Sequence, residues 1–173
     1  MAAKTGTYTL ISSSTLTTTT ATVTFSSIPS TYTDLVLVAN PLSTNNRDVI
    51  LRFNSDTGTN YSITFLSGYG GGTPAFSSGR TTSQGFMYAD YYAASNTTQN
   101  IRQINIMDYA NTTTYKTALI RSSNANAYPS GGVETLVGLW RSTAAINTVA
   151  VSLSADSFLS GSVFKLYGIE AAK

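Results

Sequence analysis

The sequence has 173 residues, enough for one domain with a buried core, and it carries a net charge of +2 with only 10% charged residues. It contains no cysteine and no histidine, which excludes a disulfide framework and any catalytic triad that relies on histidine. The few basic residues form no stripe and no apolar run reaches the ~18–20 residues that cross a bilayer, so we expect neither nucleic acid nor membrane as a partner.

Hydroxyl side chains take the place of the missing charges, since the chain contains 28 Thr and 23 Ser. Thr is β-branched and favours strands, as do the 11 Tyr and 7 Phe. The N-terminal sequence MAAKTGTYTL lacks the apolar core of a signal peptide. The composition therefore predicts a soluble all-β protein without a sign of export by the general route.

The first third of the chain predicts an arm followed by strands. Residues 1–6 show no periodic pattern and are predicted to form an N-terminal arm, which extends to residue 20 if the Ser/Thr tract at 12–20 is a loop rather than an edge strand. Residues 8–11 and 21–26 are predicted strands. Residues 34–39 contain four consecutive apolar side chains, so we expect a strand covered on both faces by two sheets, or by one sheet and a neighbouring subunit.

The central stretch RDVILRFNSDTGTNY, at 47–61, predicts a β-hairpin. Val49, Leu51 and Phe53 alternate with polar or outward residues, which places them on one face of a strand. Residues 54–58 then favour a turn, because their side chains bond their own backbone or tolerate a positive φ. Residues 61–66 resume the alternation and are predicted to return beside the first strand.

The rest of the chain predicts one long loop and further strands. Residues 67–85 are rich in Gly and Ser and almost free of aliphatic residues, which is typical of a long functional loop. Trp140, on an apolar strand, is predicted in the core. The nine or ten strands indicate a single domain over 1–173, an antiparallel β-sandwich of jelly-roll-like architecture. The later predicted strands are 101–108, 115–121, 136–141, 146–153 and 162–169, and 86–88 is a candidate short strand outside that count.

The loop after the first hairpin strand contains two suggestive patterns. Asp56-Thr57-Gly58 spells the triplet of aspartic proteases, but Asn54 and Ser55 precede it instead of apolar residues, and a homodimer would be needed to supply a second carboxylate. Asn54, Asp56, Gly58 and Asn60 alternate as calcium ligands do, yet include one carboxylate only. We interpret the four residues as a structural, self-capped loop and expect no metal and no cofactor.

Other patterns that could support chemistry are weak. The glycine run at 68–72 lacks the Lys and the following helix of a phosphate-binding loop. Two carboxylates could converge for glycoside hydrolysis, but no spacing singles out a pair among Asp48, Asp90, Asp108, Glu134 and Asp156. We therefore expect no catalytic residues. Aromatic side chains predict an interface patch or a platform that stacks on sugars, formed by Tyr88, Tyr91, Tyr92 and Tyr128.

Five segments, taken in order, resemble small β-rich virion structural proteins of tailed bacteriophages, particularly phages of aquatic bacteria and cyanobacteria. The resemblance spans nearly the whole chain after residue 20, and it lies in strands and turns rather than in reactive residues. It implies a jelly-roll-like sandwich displayed on the particle and offers no catalytic residues. The segments are FSSIPSTYTDLVLV (25–38), LRFNSDTGTNYS (51–62), IMDYANTTTYKT (106–117), GLWRSTAAINTVAV (138–151) and SGSVFKLYGI (160–169).

Three functions follow as hypotheses. The first is a capsid decoration, or cement, protein at the surface of the virion, which forms homotrimers and binds the major capsid protein or other virion proteins. The second is a tail or fibre module that recognises host-surface carbohydrate through Tyr side chains and Asn or Asp oxygens. The third, an enzyme that acts on polysaccharide through two carboxylates, has the least support, and we expect a protein that is not an enzyme.

Overall fold

The computed structural model describes residues 7–69, 75–90, 94–124 and 131–170. These residues form twelve β-strands and no helix, so the all-β prediction is confirmed and no described helix could span a membrane. In chain order the strands are β1 (Tyr8–Thr15), β2 (Thr22–Phe25), β3 (Asp34–Asn40), β4 (Val49–Phe53), β5 (Tyr61–Tyr69), β6 (Ala75–Gln84), β7 (Met87–Tyr88), β8 (Arg102–Met107), β9 (Lys116–Asn124), β10 (Gly132–Trp140), β11 (Val149–Leu153) and β12 (Val163–Ile169).

The strands form two antiparallel sheets that pack as a β-sandwich. The larger sheet has eight strands in the order β1-β12-β3-β8-β9-β10-β5-β6, and the smaller has four in the order β2-β11-β4-β7. One hydrophobic core joins them, because Leu51 and Phe53 of the small sheet belong to the same buried cluster as Ile104 and Leu136 of the large one. The jelly-roll detail stays a prediction for these sheets of unequal size.

Alternation along the strands explains which side chains fill the core. In β8, Ile104 and Ile106 are fully buried as predicted, and in β10 Trp140 is buried, which confirms its core assignment. In β3, Leu35 and Leu37 point inward, while Val36 on the opposite face is only 2% exposed. The inner face of the apolar run at 34–39 is therefore buried, and its outer face is covered at Val36 but only partly at Val38.

The predicted central hairpin is wrong. β4 pairs with β11 and β7 in the small sheet, whereas β5 pairs with β10 and β6 in the large sheet, so the chain crosses from one sheet to the other between them. Asn54 and Ser55 both have positive φ, 51° and 57°, and the side chain of Asn54 bonds residues beside β11 instead of the following strand. These contacts direct the chain away from β4.

The predicted loop at 67–85 is also wrong over most of its length. β5 continues to Tyr69, and 75–84 forms the edge strand β6, so only 70–74 lies outside the described residues. An edge strand needs a partner on one side only, and Ser67 Oγ donates a hydrogen bond to the Ser77 carbonyl across the pair. Gly79 faces the ring of Phe65, where an added Cβ would lie 2.8 Å from ring carbons. Gly in this strand reflects close packing rather than flexibility.

The Ser/Thr tract at 12–20 is an edge strand in its first part and lies outside any strand in the rest. Its first part continues β1 to Thr15, paired with β12 across a bulge between Leu10 and Ser12. The N-terminal arm at 1–6 lies outside the described residues. The count of twelve strands exceeds the predicted nine or ten, chiefly because the sequence offers no apolar alternation in β6.

Candidate functional site

Two features of the described residues are candidates for function: the outer face of the large sheet, and a cavity between the sheets at their edge. The outer face is the side of the eight-stranded sheet that points away from the four-stranded sheet. Along β10, Leu136 and Trp140 are buried whereas Val133 and Val137 are 65% and 50% exposed. The alternation therefore leaves apolar side chains in solvent on the outer face.

These apolar side chains line up across the strands because the register of the sheet aligns them. One row, which we call the outer row, crosses all eight strands and contains five apolar residues. Two of these, Leu10 and Val137, are exposed, whereas Val36 is buried and the other two are partly buried. Leu66, 59% exposed, and Phe76, 83% exposed, lie beside it on β5 and β6. The outer row is Leu10, Tyr167, Val36, Asn105, Leu119, Val137, Thr64 and Arg80.

The charges on the outer face are nearly all positive. Arg121 and Lys165 lie in the row next to the outer row, and Arg80 is the cross-strand partner of Thr64. All three residues are exposed. Asp34 at the start of β3 is engaged, since its carboxylate accepts a hydrogen bond from the Asp108 backbone N–H at 2.7 Å. The outer face therefore combines apolar rows with a positive field.

The structure describes one of the four tyrosines predicted for an interface. Tyr88 lies in β7, half-buried, and its ring packs edge-on against Phe86 at 4.9 Å between centroids. Tyr88 thus lines the cavity rather than the outer face. Tyr91, Tyr92 and Tyr128 lie outside the described residues. The sequence reading missed Tyr8 and Tyr115, which are 54% and 55% exposed.

The loop at 54–60 binds itself and its neighbours. Asp56 Oδ1 accepts a hydrogen bond from the Gly58 backbone N–H at 2.7 Å, and its Oδ2 accepts from Asn60 Nδ2 at 2.8 Å and from Trp140 Nε1 at 2.7 Å. The Asn54 oxygen accepts from the backbone N–H groups of residues 147 and 148. These are the contacts of a self-capped loop, with the side-chain oxygens of Asn54 and Asp56 committed to N–H donors.

The electrostatics of Asp56 follow from those contacts. Burial acts to raise the pKa of Asp56, but the hydrogen bonds from Trp140, Asn60 and Gly58 outweigh it and hold the pKa below the usual 3.8. The carboxylate is thus ionised and engaged as an acceptor, which suits a structural role better than the proton exchange of a protease. Over the described ranges, no three His, Cys, Asp or Glu side chains come together as a metal site.

The cavity lies at the open edge between β5 and β6 of the large sheet and β7 of the small one. Its volume is about 140 Å³, it is partly open to solvent, and its lining combines apolar, aromatic and acidic side chains. Asp48 and Asp90 come from the segments just before β4 and just after β7, whereas the others come from strands. The lining residues are Asp48, Ile63, Phe65, Thr81, Tyr88 and Asp90.

Asp90 forms the rigid wall of this cavity. Its Oδ2 binds Arg102 Nη2 at 2.6 Å and Nε at 2.8 Å, and its Oδ1 accepts the Val49 backbone N–H at 2.9 Å. Both side chains are fully buried. Burial raises the pKa of Asp90 to about 7, while the guanidinium of Arg102 acts in the opposite direction. With both oxygens held by three N–H groups, Asp90 is positioned as a fixed structural group.

Asp48 is the cavity's second carboxyl group, and its surroundings differ. Burial raises the pKa of Asp48, and the charges of Arg47 and Arg102 lower it in part. Arg47 binds Asp156 at 2.7 Å and Arg102 binds Asp90, so neither arginine forms a salt bridge with Asp48. Within the part of the chain that the structure describes, no group donates a hydrogen bond to the Asp48 carboxylate. The structure therefore brings two of the predicted acids together: Asp90 is bound by Arg102, and Asp48 forms no salt bridge among the described residues.

Two further groups complete the cavity. Burial, and then the charge of Asp48, raise the pKa of the Tyr88 phenol. Thr81 Oγ1 is buried and has no hydrogen-bond partner among the described residues. An orphaned buried hydroxyl costs stability unless some group satisfies it. The cavity thus offers a carboxylate and a hydroxyl beside Ile63 and Phe65, which is an arrangement for binding.

The sequence analysis did not predict a role for Arg102, although the pattern of β8 indicates that its side chain is buried. Two-residue alternation places Arg102 on the same face as Ile104 and Ile106, so its side chain has to point into the core. A buried guanidinium requires a carboxylate partner. Asp90 carries no comparable signal, because it follows a two-residue strand and reaches Arg102 only through the fold.

No model of a known protein family matches the chain, and no curated sequence is similar enough to be counted as a relative.

Proposed function

We propose that this chain is a non-enzymatic structural protein at the surface of a bacteriophage virion, specifically a capsid decoration protein that binds the head shell as a homotrimer. The observation that carries the proposal is the outer face, where apolar side chains of the neighbouring strands β10, β5 and β6 lie together in solvent. Exposed apolar patches of this extent mark protein interfaces. The resemblance of the strand and turn segments to phage virion proteins supplies the setting.

The size of the outer face suits a stable contact. Eight strands spaced about 4.8 Å apart, each about eight residues long, span roughly 38 Å by 26 Å, or about 1,000 Å². A standard protein interface buries about 800 Å² on each partner. One outer face therefore supplies one full interface, without any contribution from the arm.

The charge of the outer face favours the shell over a sister subunit as its partner. Arg80, Arg121 and Lys165 would face their own copies in a two-fold contact and repel them. An acidic, partly apolar surface of the major capsid protein complements them. We assign the outer face to the shell for this reason.

The two edges of the large sheet are suited to contacts between sister subunits. β1 has no charged residue, β6 has Arg80 alone, and neither strand contains proline. Lys and Pro are the devices that usually block pairing at an exposed edge. Pairing of β1 from one subunit with β6 of the next is head-to-tail, and three such contacts close a ring. Both edges support the homotrimer.

Quantitative mass spectrometry of purified particles tests the proposal. A decoration protein is present at hundreds of copies in each particle, whereas a tail or fibre protein that binds host carbohydrate is present at a few dozen or fewer. Light scattering of the purified chain should give three times the monomer mass of 18.3 kDa. Absence from the particles would overturn the proposal, and a low copy number would favour the tail alternative.

A further inference from the structure

The cavity at the sheet edge is lined by polar side chains that the proposed adhesion function does not use. Its wall presents Asp48, whose carboxylate no described group binds, next to the aromatic side chain of Tyr88. Ile63 and Phe65 supply an apolar floor, and the buried Thr81 Oγ1 lacks a partner. An unpaired carboxylate, an unpaired hydroxyl and an apolar floor in one cavity are complementary to one ligand type.

We propose that this cavity binds an organic ammonium group on a short alkyl chain, with the ammonium between Asp48 and Thr81 and the carbon atoms against Ile63 and Phe65. The ammonium N–H groups satisfy both oxygens, since a carboxylate and a hydroxyl each accept hydrogen bonds. The ring of Tyr88 adds a surface that attracts cations. This inference is independent of the proposed virion function.

The charges around the cavity favour a cation over a neutral sugar or an anion. The two arginines whose charges act on Asp48 are committed elsewhere, since Arg47 binds Asp156 at 2.7 Å and Arg102 binds Asp90. Asp48 forms no salt bridge and lies in a partly buried place, where attraction to a cation is stronger than in water. Binding an ammonium ion gives Asp48 a salt-bridge partner.

The volume is sufficient for such a group. At about 140 Å³ the cavity approaches the ~150 Å³ at which an engineered apolar cavity takes up benzene. A propylammonium ion is smaller than benzene, and so is the end of a lysine side chain. The ligand is therefore either a free alkylamine or a lysine side chain presented by another molecule, and both share the same chemistry.

The experiment uses the full chain and n-propylammonium chloride, followed by ligand-observed saturation-transfer NMR and amide chemical-shift mapping. Binding is expected to be weak, as it must be for so small a ligand, with shifts centred on residues 63–65, 81 and 88. The neutral isostere 1-propanol should bind about tenfold more weakly. N-acetyl-lysinamide separates the two sources: binding as tight as that of propylammonium supports a presented lysine, and weaker binding supports a free amine.

Three variants locate the site. Asp48→Asn removes the charge and keeps the shape, and it should weaken propylammonium binding about tenfold. Thr81→Val should weaken it severalfold, because it removes the second acceptor. Asp108→Asn is the matched control, since it removes an equal charge from an exposed turn just after β8. Asp108 does not line the cavity, so this variant should leave binding unchanged.

Several results would overturn the inference. Three outcomes would each show that Asp48 does not recognise the ammonium charge. They are equal binding of 1-propanol, chemical shifts that map away from the cavity, and equal effects of Asp48→Asn and Asp108→Asn on binding. Absence of any binding, or binding of a neutral sugar such as glucose in place of the cation, would do the same. Because no described group donates a hydrogen bond to the Asp48 carboxylate, an unchanged melting temperature of Asp48→Asn is expected and separates lost binding from lost fold.

Discussion

The indole N–H of Trp140 donates a hydrogen bond of 2.7 Å to the carboxylate of Asp56. Trp140 ends β10 of the large sheet, and Asp56 lies in the loop that leaves β4 of the small sheet. The bond therefore joins the two sheets at the place where the chain crosses between them. Beside it, Trp140 stacks on Tyr61 and packs edge-on against Phe53.

Replacing Asp56 with Asn should destabilise the protein by about 1.5–3 kcal/mol, the range for a hydrogen bond to a charged group. Asn has one acceptor oxygen, so it cannot serve both the Gly58 N–H and the Trp140 indole. Urea unfolding followed by tryptophan fluorescence measures the change. Asp156→Asn is the matched control, and it should have little effect because its ion pair with Arg47 is exposed to solvent. Equal losses in both variants would contradict the prediction.

The stability of the wild type should fall below about pH 4 through Asp56. Its folded pKa is lower than the unfolded value of 3.8, so its contribution is present above 3.8 and is lost as the pH falls through the folded pKa. Asp56→Asn lacks this titration. The difference in unfolding free energy between wild type and Asp56→Asn should therefore shrink from pH 5 to pH 2, as measured by urea unfolding at each pH. A constant difference would show that the Asp56 carboxylate is not stabilised.

Replacing Arg102 with Met should cost about 3–5 kcal/mol, because Asp90 then stays buried without a counterion. The double variant Asp90→Asn with Arg102→Met should recover part of the loss. Its amide oxygen still accepts the Val49 N–H, and no charge is left in the core. A double-mutant cycle by chemical denaturation measures the coupling. Additive losses would mean that the pair is not coupled.

The same two variants should differ in their pH dependence. Burial raises the folded pKa of Asp90 above its unfolded value of 3.8, to about 7 in the wild type. A raised pKa contributes stability that is fully present below 3.8 and is lost as the pH rises through the folded pKa. Arg102→Met keeps Asp90 but removes the charge that lowers its pKa, so this variant should lose stability from about pH 4 upward and beyond pH 7, whereas the double variant should not lose that component.

Packing between the sheets can be tested at Gly138. A Cβ added there would lie 2.2 Å from the Met87 sulfur, so Gly138→Ala should cost about 1–3 kcal/mol through overpacking. The pair Gly138→Ala with Met87→Ala should be less destabilised than the sum of the single variants, since the methyl fills part of the space that Met87 leaves. Gly68→Ala is the control, because no atom lies within 4 Å of its added Cβ. Thermal unfolding of the four variants measures these effects, and a loss at Gly68 equal to that at Gly138 would contradict the packing argument.

The proposed contact with the shell predicts a binding defect without a folding defect. Val137→Asp introduces an acid at a half-exposed position of the outer face, so it should leave the melting temperature nearly unchanged and weaken binding to purified heads about tenfold or more. Thr24→Asp adds the same charge to an exposed position on β2 of the small sheet and should bind like the wild type. Cosedimentation with heads that lack the protein measures occupancy. Full occupancy with Val137→Asp would remove the outer face from the interface.

Much of the fold was readable from local patterns. Two-residue alternation correctly predicted the buried faces of β4 and β8, and Trp140 in an apolar strand correctly predicted a core position. The 54–58 turn is present, because its residue types bond their own backbone in any context. Such features depend on neighbours within a few residues, so the sequence alone determined them.

Pairing and polar burial were decided only by the tertiary structure. β4 and β5 look like hairpin strands, yet distant strands β11 and β10 offer each of them a better partner. β6 is a strand because β5 lies beside it, although its own sequence resembles a loop. Asp48 and Asp90 line the same cavity although they lie 42 residues apart in the chain. Non-local contacts contribute most of the burial energy in a sheet, and a sequence read in short windows does not contain them.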